Sequence, residues 1–187
     1  MESVTQPGEQ ARKAALMAAQ NQILTLIQED RPLAEMLAEI CRIIEAQADG
    51  MLASIQLIDE AGEHILQGAA PSLPPAYCEV VHGLSIGPNV GSCGAAAYTG
   101  QPVIAGDLET HPNWAPFRDL VVGVHGLRAC WSTPIKAYDG KVVATFAMYY
   151  RTPKLPSLAE RKLIDFTAHL VTIAINRHRD RSSLGLD

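Results

Sequence analysis

Apolar residues recur at helical spacing in three stretches of the chain. In the first, Leu16, Ala19, Ile23 and Leu26 share one stripe and predict a helix from Gln10 to Gln28, with residues 1–9 disordered before it. In the second, Leu33, Met36, Leu37, Ile40, Ile43 and Ile44 line one side of a helix. Asp30 with Pro32 marks its start, and it runs to about Gln47, where Asp49-Gly50 ends it. In the third, Leu163, Phe166, Leu170 and Ile173 repeat the rhythm of the first. Ser157 with Glu160 makes a capping box that opens this helix, which is expected to reach Arg179.

Between the helices the pattern changes to strands. Met51–Ile58 and His64–Ala70 flank the turn Asp59-Glu60-Ala61-Gly62-Glu63 and predict a hairpin. Leu127–Ile135 and Val142–Tyr150 flank Lys136–Lys141, whose Asp139-Gly140 is a strong hairpin signal. Pro102-Val103-Ile104 is a further short strand. Hairpins imply an antiparallel sheet, so the fold class is α+β. The first and last helices are expected on one face of that sheet. Their seams serve either to cover it or to build a bundle with a second copy, a homodimer through residues 10–28 and 157–179.

The stretch from Gly83 to Ile135 is poor material for a plain core. Gly83, Gly87, Gly91 and Gly94 demand a backbone that turns sharply or lies close to something. A short helix over Pro75–Val81 precedes them. A second is expected from Ser92, read as its N-cap, through Tyr98, and a third over Ala115–His125. Cys93 then falls in a first helical turn, where free N–H groups favour a thiolate. It is either a small core residue or a thiol that faces a ligand.

Composition narrows the function. The chain has 187 residues, 15 basic and 20 acidic, and 48% hydrophobic content. That suits one domain with a real core, and the acidic balance speaks against nucleic acid. No apolar run has the length of a membrane helix, and the start lacks the order of a signal peptide, so a cytoplasmic protein is expected. Cys41, Cys78, Cys93 and Cys130 lack zinc-ribbon or redox-motif spacing and are expected as free thiols. The six histidines show no metal-ligand spacing, and surface or capping roles are expected. Asp107 suits a turn or a ligand amine. Arg128 suits an anionic ligand or a surface carboxylate such as Asp119. Trp114 sits in a lid-like segment, and both Trp114 and Trp131 are expected in the core.

From Leu33 to Arg177 the order of elements resembles the GAF domain, the ligand-binding sensor module of bacterial histidine kinases, diguanylate cyclases and related signalling proteins. The residues that carry the resemblance are Gly91-Ser92-Cys93-Gly94-Ala95-Ala96, Pro102-Val103-Ile104 leading to Asp107, Gly126 through Ile135, and the hairpin through Gly140 to Thr145-Phe146-Ala147. The resemblance implies a GAF-like (PAS-like) sheet with the terminal helices on one face and short helices and loops on the other. It divides the chain into a tail and dimerisation helix (residues 1–30), a GAF domain (31–179) and a C-terminal linker or tail (180–187). It implies a pocket between the sheet and residues 83–125. On alternating strands, Arg128, Cys130 and Ser132 are then placed toward the pocket, with Thr145, Ala147 and Tyr149 at the matching positions of the partner strand. The expected ligand-binding set is Cys93, Asp107, Trp114, Arg128, Cys130, Ser132 and Tyr149.

The ligand itself is left open, since such domains hold cyclic nucleotides, haem, bilins, small anions or nothing. A haem would need only one histidine, with His82, His111 and His125 as candidates. The resemblance extends to free methionine sulfoxide reductases, in which Cys93 matches one cysteine. Their catalytic cysteine would fall in residues 111–126, where this chain has none, and their acidic substrate ligands align with Cys130, Ala147 and Tyr149. The expectation is therefore a non-catalytic sensor that signals through its last helix to an output kinase or cyclase domain. The alternatives are a thiol enzyme using Cys93 and Cys130, and a ligand-free dimerisation module.

Overall fold

The computed structural model describes residues 6–29 and 31–184. The expected cap at Asp30 and parts of both expected tails, residues 1–5 and 185–187, lie outside the described residues. The helices are α1 (Gln6–Gln28), α2 (Leu33–Glu45), α3 (Pro75–Val81), α4 (Gly91–Thr99) and α5 (Leu158–Ser183). The strands are β1 (Leu52–Ile58), β2 (Ile65–Ala69), β3 (Val103–Ala105), β4 (Ala129–Lys136) and β5 (Val142–Tyr150). Two expectations about length are corrected. α1 begins at Gln6, inside the stretch read as disordered, and α5 continues past Arg179 into the expected linker. The expected helix over 115–125 is instead a 3-10 turn (Pro112–Phe117) followed by a π turn (Asp119–Val124). Pro116 explains the break, because it has no N–H to give a continuous helix.

The strands form one antiparallel sheet in the order β2-β1-β5-β4-β3. Alternation along the strands divides the interior in two. Ala53, Ile55, Ala129, Trp131, Ile135, Ala144, Phe146, Met148 and Tyr150 face α1, α2 and α5 in the larger core. The stripe residues Ala19, Ile23, Leu26, Leu163 and Leu170 are buried in that same core, so the terminal seams cover the sheet within one chain. The first half of α1, from Gly8 to Ala18, is exposed apart from the partly buried Leu16. Cys130, Ala147 and Tyr149 point the other way, into a smaller core under α3, α4 and the two irregular turns.

Gly68 shows how tightly the edge strand lies. A Cβ there would stand 2.5 Å from the Ile55 carbonyl oxygen, beside the register shift between Ile55 and Gln56. Gly68→Ala is therefore expected to push β2 off β1 and to lower stability by about 1–3 kcal/mol. The check is urea unfolding, with a lower midpoint and an unchanged slope.

Candidate functional site

The floor of the smaller core is polar. Ser54 lies across β5 from Ser132 with Ala147 between them, Cys130 pairs with Tyr149, and Gln56 pairs with Thr145. All except Ala147 carry a hydroxyl, thiol or amide, and all are 2% exposed or less. The methyl side chain of Ala147 leaves the middle of this floor low. α4 can lie close above it because Gly91–Ala97 are all small, and all seven are buried. The helix begins with Gly91 at φ +55°, a conformation that favours glycine, and a Cβ there would meet the Trp114 ring at 3.5 Å.

Ser92 is not the N-cap that its type suggests. Val90 holds that position without a side-chain bond, and Ser92 is the second residue of the helix and is buried. Its hydroxyl donates to the Cys130 carbonyl at 3.2 Å and accepts from Trp114 Nε1 at 3.1 Å. Asn113 Nδ2 donates to the Gly91 carbonyl at 3.4 Å. The 3-10 turn is thereby pinned to the start of α4, with Trp114 as its buried plug, edge-on to Phe117 at 6.4 Å.

Beneath the plug, Cys93 on α4 and Cys130 on β4 both lie against Tyr149, the first through its sulfur and the second as its cross-strand pair, and both are unbridged. Cys93 Sγ is 3.6 Å from Tyr149 Oη, which is 3.2 Å from Tyr77 Oη and accepts from Ser54 Oγ at 3.4 Å. The Cys130 thiol holds Cys93 below its usual value, to about 6, against the upward push of burial, with help from Ser132, Tyr149 and Thr145. Burial raises Cys130, Tyr149 and Tyr77 well above their usual values, so they stay protonated and serve as donors. Two hydroxyls on this floor, Ser132 Oγ and Thr145 Oγ1, are buried with the Cys93 sulfur as neighbour and no oxygen or nitrogen partner.

The cavity over this floor is narrow, about 20 Å³, which is room for roughly one water. Tyr77, Leu84, Cys93, Trp114, Phe117 and Val121 are among its walls. Of the residues proposed from sequence, Cys93 and Trp114 line this cavity, and Cys130, Ser132 and Tyr149 lie in the floor below. Asp107 and Arg128 lie apart from it. Arg128 Nη2 bonds Asp107 at 3.2 Å and Glu109 at 3.0 Å, so its partner is not Asp119. Asp107 Oδ1 also accepts from the Glu109 N–H at 3.1 Å, the turn role expected of it.

Ser54 and Tyr77 complete the cluster and were missed as site residues, and Thr145, expected to face the pocket, was left out of the expected ligand-binding set. Ser54 and Gln56 alternate with apolar neighbours, which ordinarily marks a solvent face, and no local signal marks Tyr77. His82 Nδ1 accepts from the Gln67 N–H at 3.1 Å and His111 Nδ1 from the Asn113 N–H at 3.3 Å, so both serve the backbone. Among the described residues no cluster of His, Cys, Asp or Glu could hold a metal ion. Also among them, no helix is long and apolar enough to cross a membrane.

A five-stranded antiparallel sheet with terminal helices on one face and a lidded small-residue helix on the other defines a GAF fold, and the family model of the GAF domain matches residues 30–176. The chain belongs to the GAF domain family. It is 33% identical over 160 residues to the methyl sulfide methyltransferase-associated sensor of Methanosarcina acetivorans, a match that takes in 86% of this chain and 16% of that protein's length. Its fold is similar to that of a GAF sensor protein from Burkholderia vietnamiensis (TM-score 0.71, 16% identity, 90% of this chain and 98% of the other). It is also similar to that of the free methionine-R-sulfoxide reductase of Neisseria meningitidis (TM-score 0.66, 15% identity, 87% and 89%).

Proposed function

We propose that this domain is a non-catalytic input module, which takes a small molecule under the Trp114 plug and passes its occupancy to α5 and an output domain of kinase or cyclase type. The observation that carries this reading is a small cavity beneath the Trp114 plug, walled by Tyr77, Cys93, Trp114 and Phe117 and set beside a buried polar floor. The cavity has room for about one water, so any larger ligand must lift the irregular turns. Occupancy and lid position are then linked, which is the differential binding that signalling requires.

The route onward runs along β5. Tyr149 lies in the smaller core against Cys93, and its neighbour Tyr150 faces the helices, where its hydroxyl donates to Glu160 in the first turn of α5 at 2.7 Å. A shift of the strand end is felt at both. The family and the sensor relative support this reading over an enzyme. So does a floor of hydroxyls and thiols at the positions where a sulfoxide reductase would grip an ammonium group with carboxylates.

Native mass spectrometry and an absorption spectrum of the protein as purified, followed by hydrogen exchange with the retained or screened ligand, test the proposal. Expected are a bound small molecule and changed protection in residues 112–124 and 158–183. A ligand that binds and leaves both segments unchanged sinks the coupling, and a cavity that takes nothing from a metabolite extract sinks the reading.

A further inference from the structure

We propose that Cys93 and Cys130 form a peroxide-reactive dithiol, closed to a Cys93–Cys130 disulfide by a hydroperoxide small enough to enter beneath Trp114. The inference rests on reading this cavity as the input site, and adds a covalent input to the non-covalent one.

Four observations converge. The two cysteines are neighbours across the α4–β4 contact, where Ser92 bonds the Cys130 carbonyl and the Cys93 sulfur meets Tyr149, the cross-strand pair of Cys130. Cys93 lines the cavity, whereas Cys130 is fully buried behind it, so one thiol meets the oxidant and the other waits. The cavity has room for about one water, so hydrogen peroxide needs only a small opening of the lid and bulkier oxidants need a larger one. The Ser132 and Thr145 hydroxyls are buried on the floor beside the Cys93 sulfur, placed to donate to its thiolate. Cys93 also sits in the first turn of α4, where free N–H groups favour a thiolate. Cys41 lacks this setting, being buried in the helical core, where its thiol donates weakly to the Ala69 carbonyl. Burial pushes the thiols of Cys41 and Cys78 up rather than down.

The chemistry proceeds in two steps. The Cys93 thiolate attacks one peroxide oxygen. An S–O bond forms, the O–O bond breaks, and the departing oxygen takes a proton from water and leaves as water or an alcohol. Sulfur loses two electrons and the peroxide gains them, giving a sulfenic acid. Cys130 sulfur then attacks Cys93 sulfur. The S–S bond forms, the S–O bond breaks, and hydroxide leaves with the Cys130 proton as water. A thiol reductant reverses the state by exchange. The bond would tie α4 to β4 where Ser92 already joins Trp114 to the Cys130 carbonyl, so oxidation reaches the plug directly.

The test is peroxide treatment of the full chain, alkylation of the remaining thiols, and intact and peptide mass spectrometry without reduction. Expected is a loss of two hydrogens and a linked peptide pair containing Cys93 and Cys130, with Cys41 and Cys78 alkylated. Cys130→Ser is expected to halt at a sulfenic acid on Cys93 that a cyclic diketone traps. In the wild type the rate is expected to fall roughly tenfold for each pH unit below about 6 and to level off above it, because only the thiolate reacts. Four free thiols after peroxide, or oxidation confined to Cys41 or Cys78, overturns the proposal, and neither result depends on a variant that folds. Ligand binding to the reduced protein is measured in parallel. A responsive lid without a disulfide overturns the dithiol and leaves the ligand reading standing. A disulfide in a protein that binds no ligand does the reverse.

Discussion

Glu160→Ala is expected to lower the unfolding free energy by about 2–4 kcal/mol, because it removes a buried carboxylate from the centre of a network. The Glu160 side chain is only 5% exposed and has four donors. Tyr150 Oη lies at 2.7 Å, Lys154 Nζ at 2.6 Å, the Ser157 N–H at 2.9 Å and Ser157 Oγ at 2.7 Å. Alanine would leave the buried Tyr150 hydroxyl and the half-buried Lys154 ammonium without their acceptor and would also abolish the capping box of α5.

The same network sets an acid dependence. Burial pushes the Glu160 carboxyl up, but the bonds from Lys154, Ser157 and Tyr150 prevail and bring it from 4.5 down to about 2. Its folded value lies below its unfolded one, so its stabilisation is complete above about pH 4.5 and fades as pH falls toward about 2. Urea unfolding at neutral pH and within that acid window checks both statements. The gap between wild type and Glu160→Ala is expected to narrow as the pH drops. Glu160→Gln keeps the shape, loses the charge, and is expected to fall between the two. A gap that is small at neutral pH, or that stays constant through the acid window, would show that the network does not anchor α5.

This anchor was legible in the sequence, and the reason is local. A capping box needs only Ser157 and Glu160 at the right spacing, and the backbone supplies the rest. The hairpin at Asp139-Gly140 and the helix over 75–81 were legible for the same reason, since turn and proline chemistry act within a few residues. The direction in which β4 faces was not legible from periodicity. Alternation gives two faces, and only the resemblance to the GAF family placed Cys130 and Ser132 toward the cavity. Ser92 shows the opposite failure. Its type is right for a cap, but a long-range partner, Trp114, draws its hydroxyl into the core. Arg128 fails similarly, because its carboxylates lie on the loop after β3 and not in the nearby lid. Tyr77 joins the site only because α3 folds over the β5 tyrosine, a contact 72 residues apart in sequence that no window can see.

The two tryptophans offer the sharpest separation of site from scaffold. Trp114 and Trp131 are 3% and 2% exposed, and each donates its indole N–H to a partner, but they lie on opposite faces of the sheet. Trp131 packs at 5.0 Å against Tyr150 on the helical side, and Trp114 stops the cavity on the other. Truncation of either to alanine is expected to cost about 3–5 kcal/mol by loss of buried surface and the cavity left behind. Only Trp114→Ala is expected to open a path to Cys93. At conditions of matched stability, its reaction with a bulky aromatic disulfide reagent should accelerate roughly tenfold or more, as local opening of the lid becomes easier. Trp131→Ala should leave that rate near the wild-type value. Trp114→Phe retains the plug and loses only the bond to Ser92, a change of about 1 kcal/mol, and should fall close to wild type. Equal acceleration in both alanine variants would mean that the reagent reaches Cys93 through global unfolding. The irregular turns would then be structure and not a lid, and the cavity would lose its claim to be an input site.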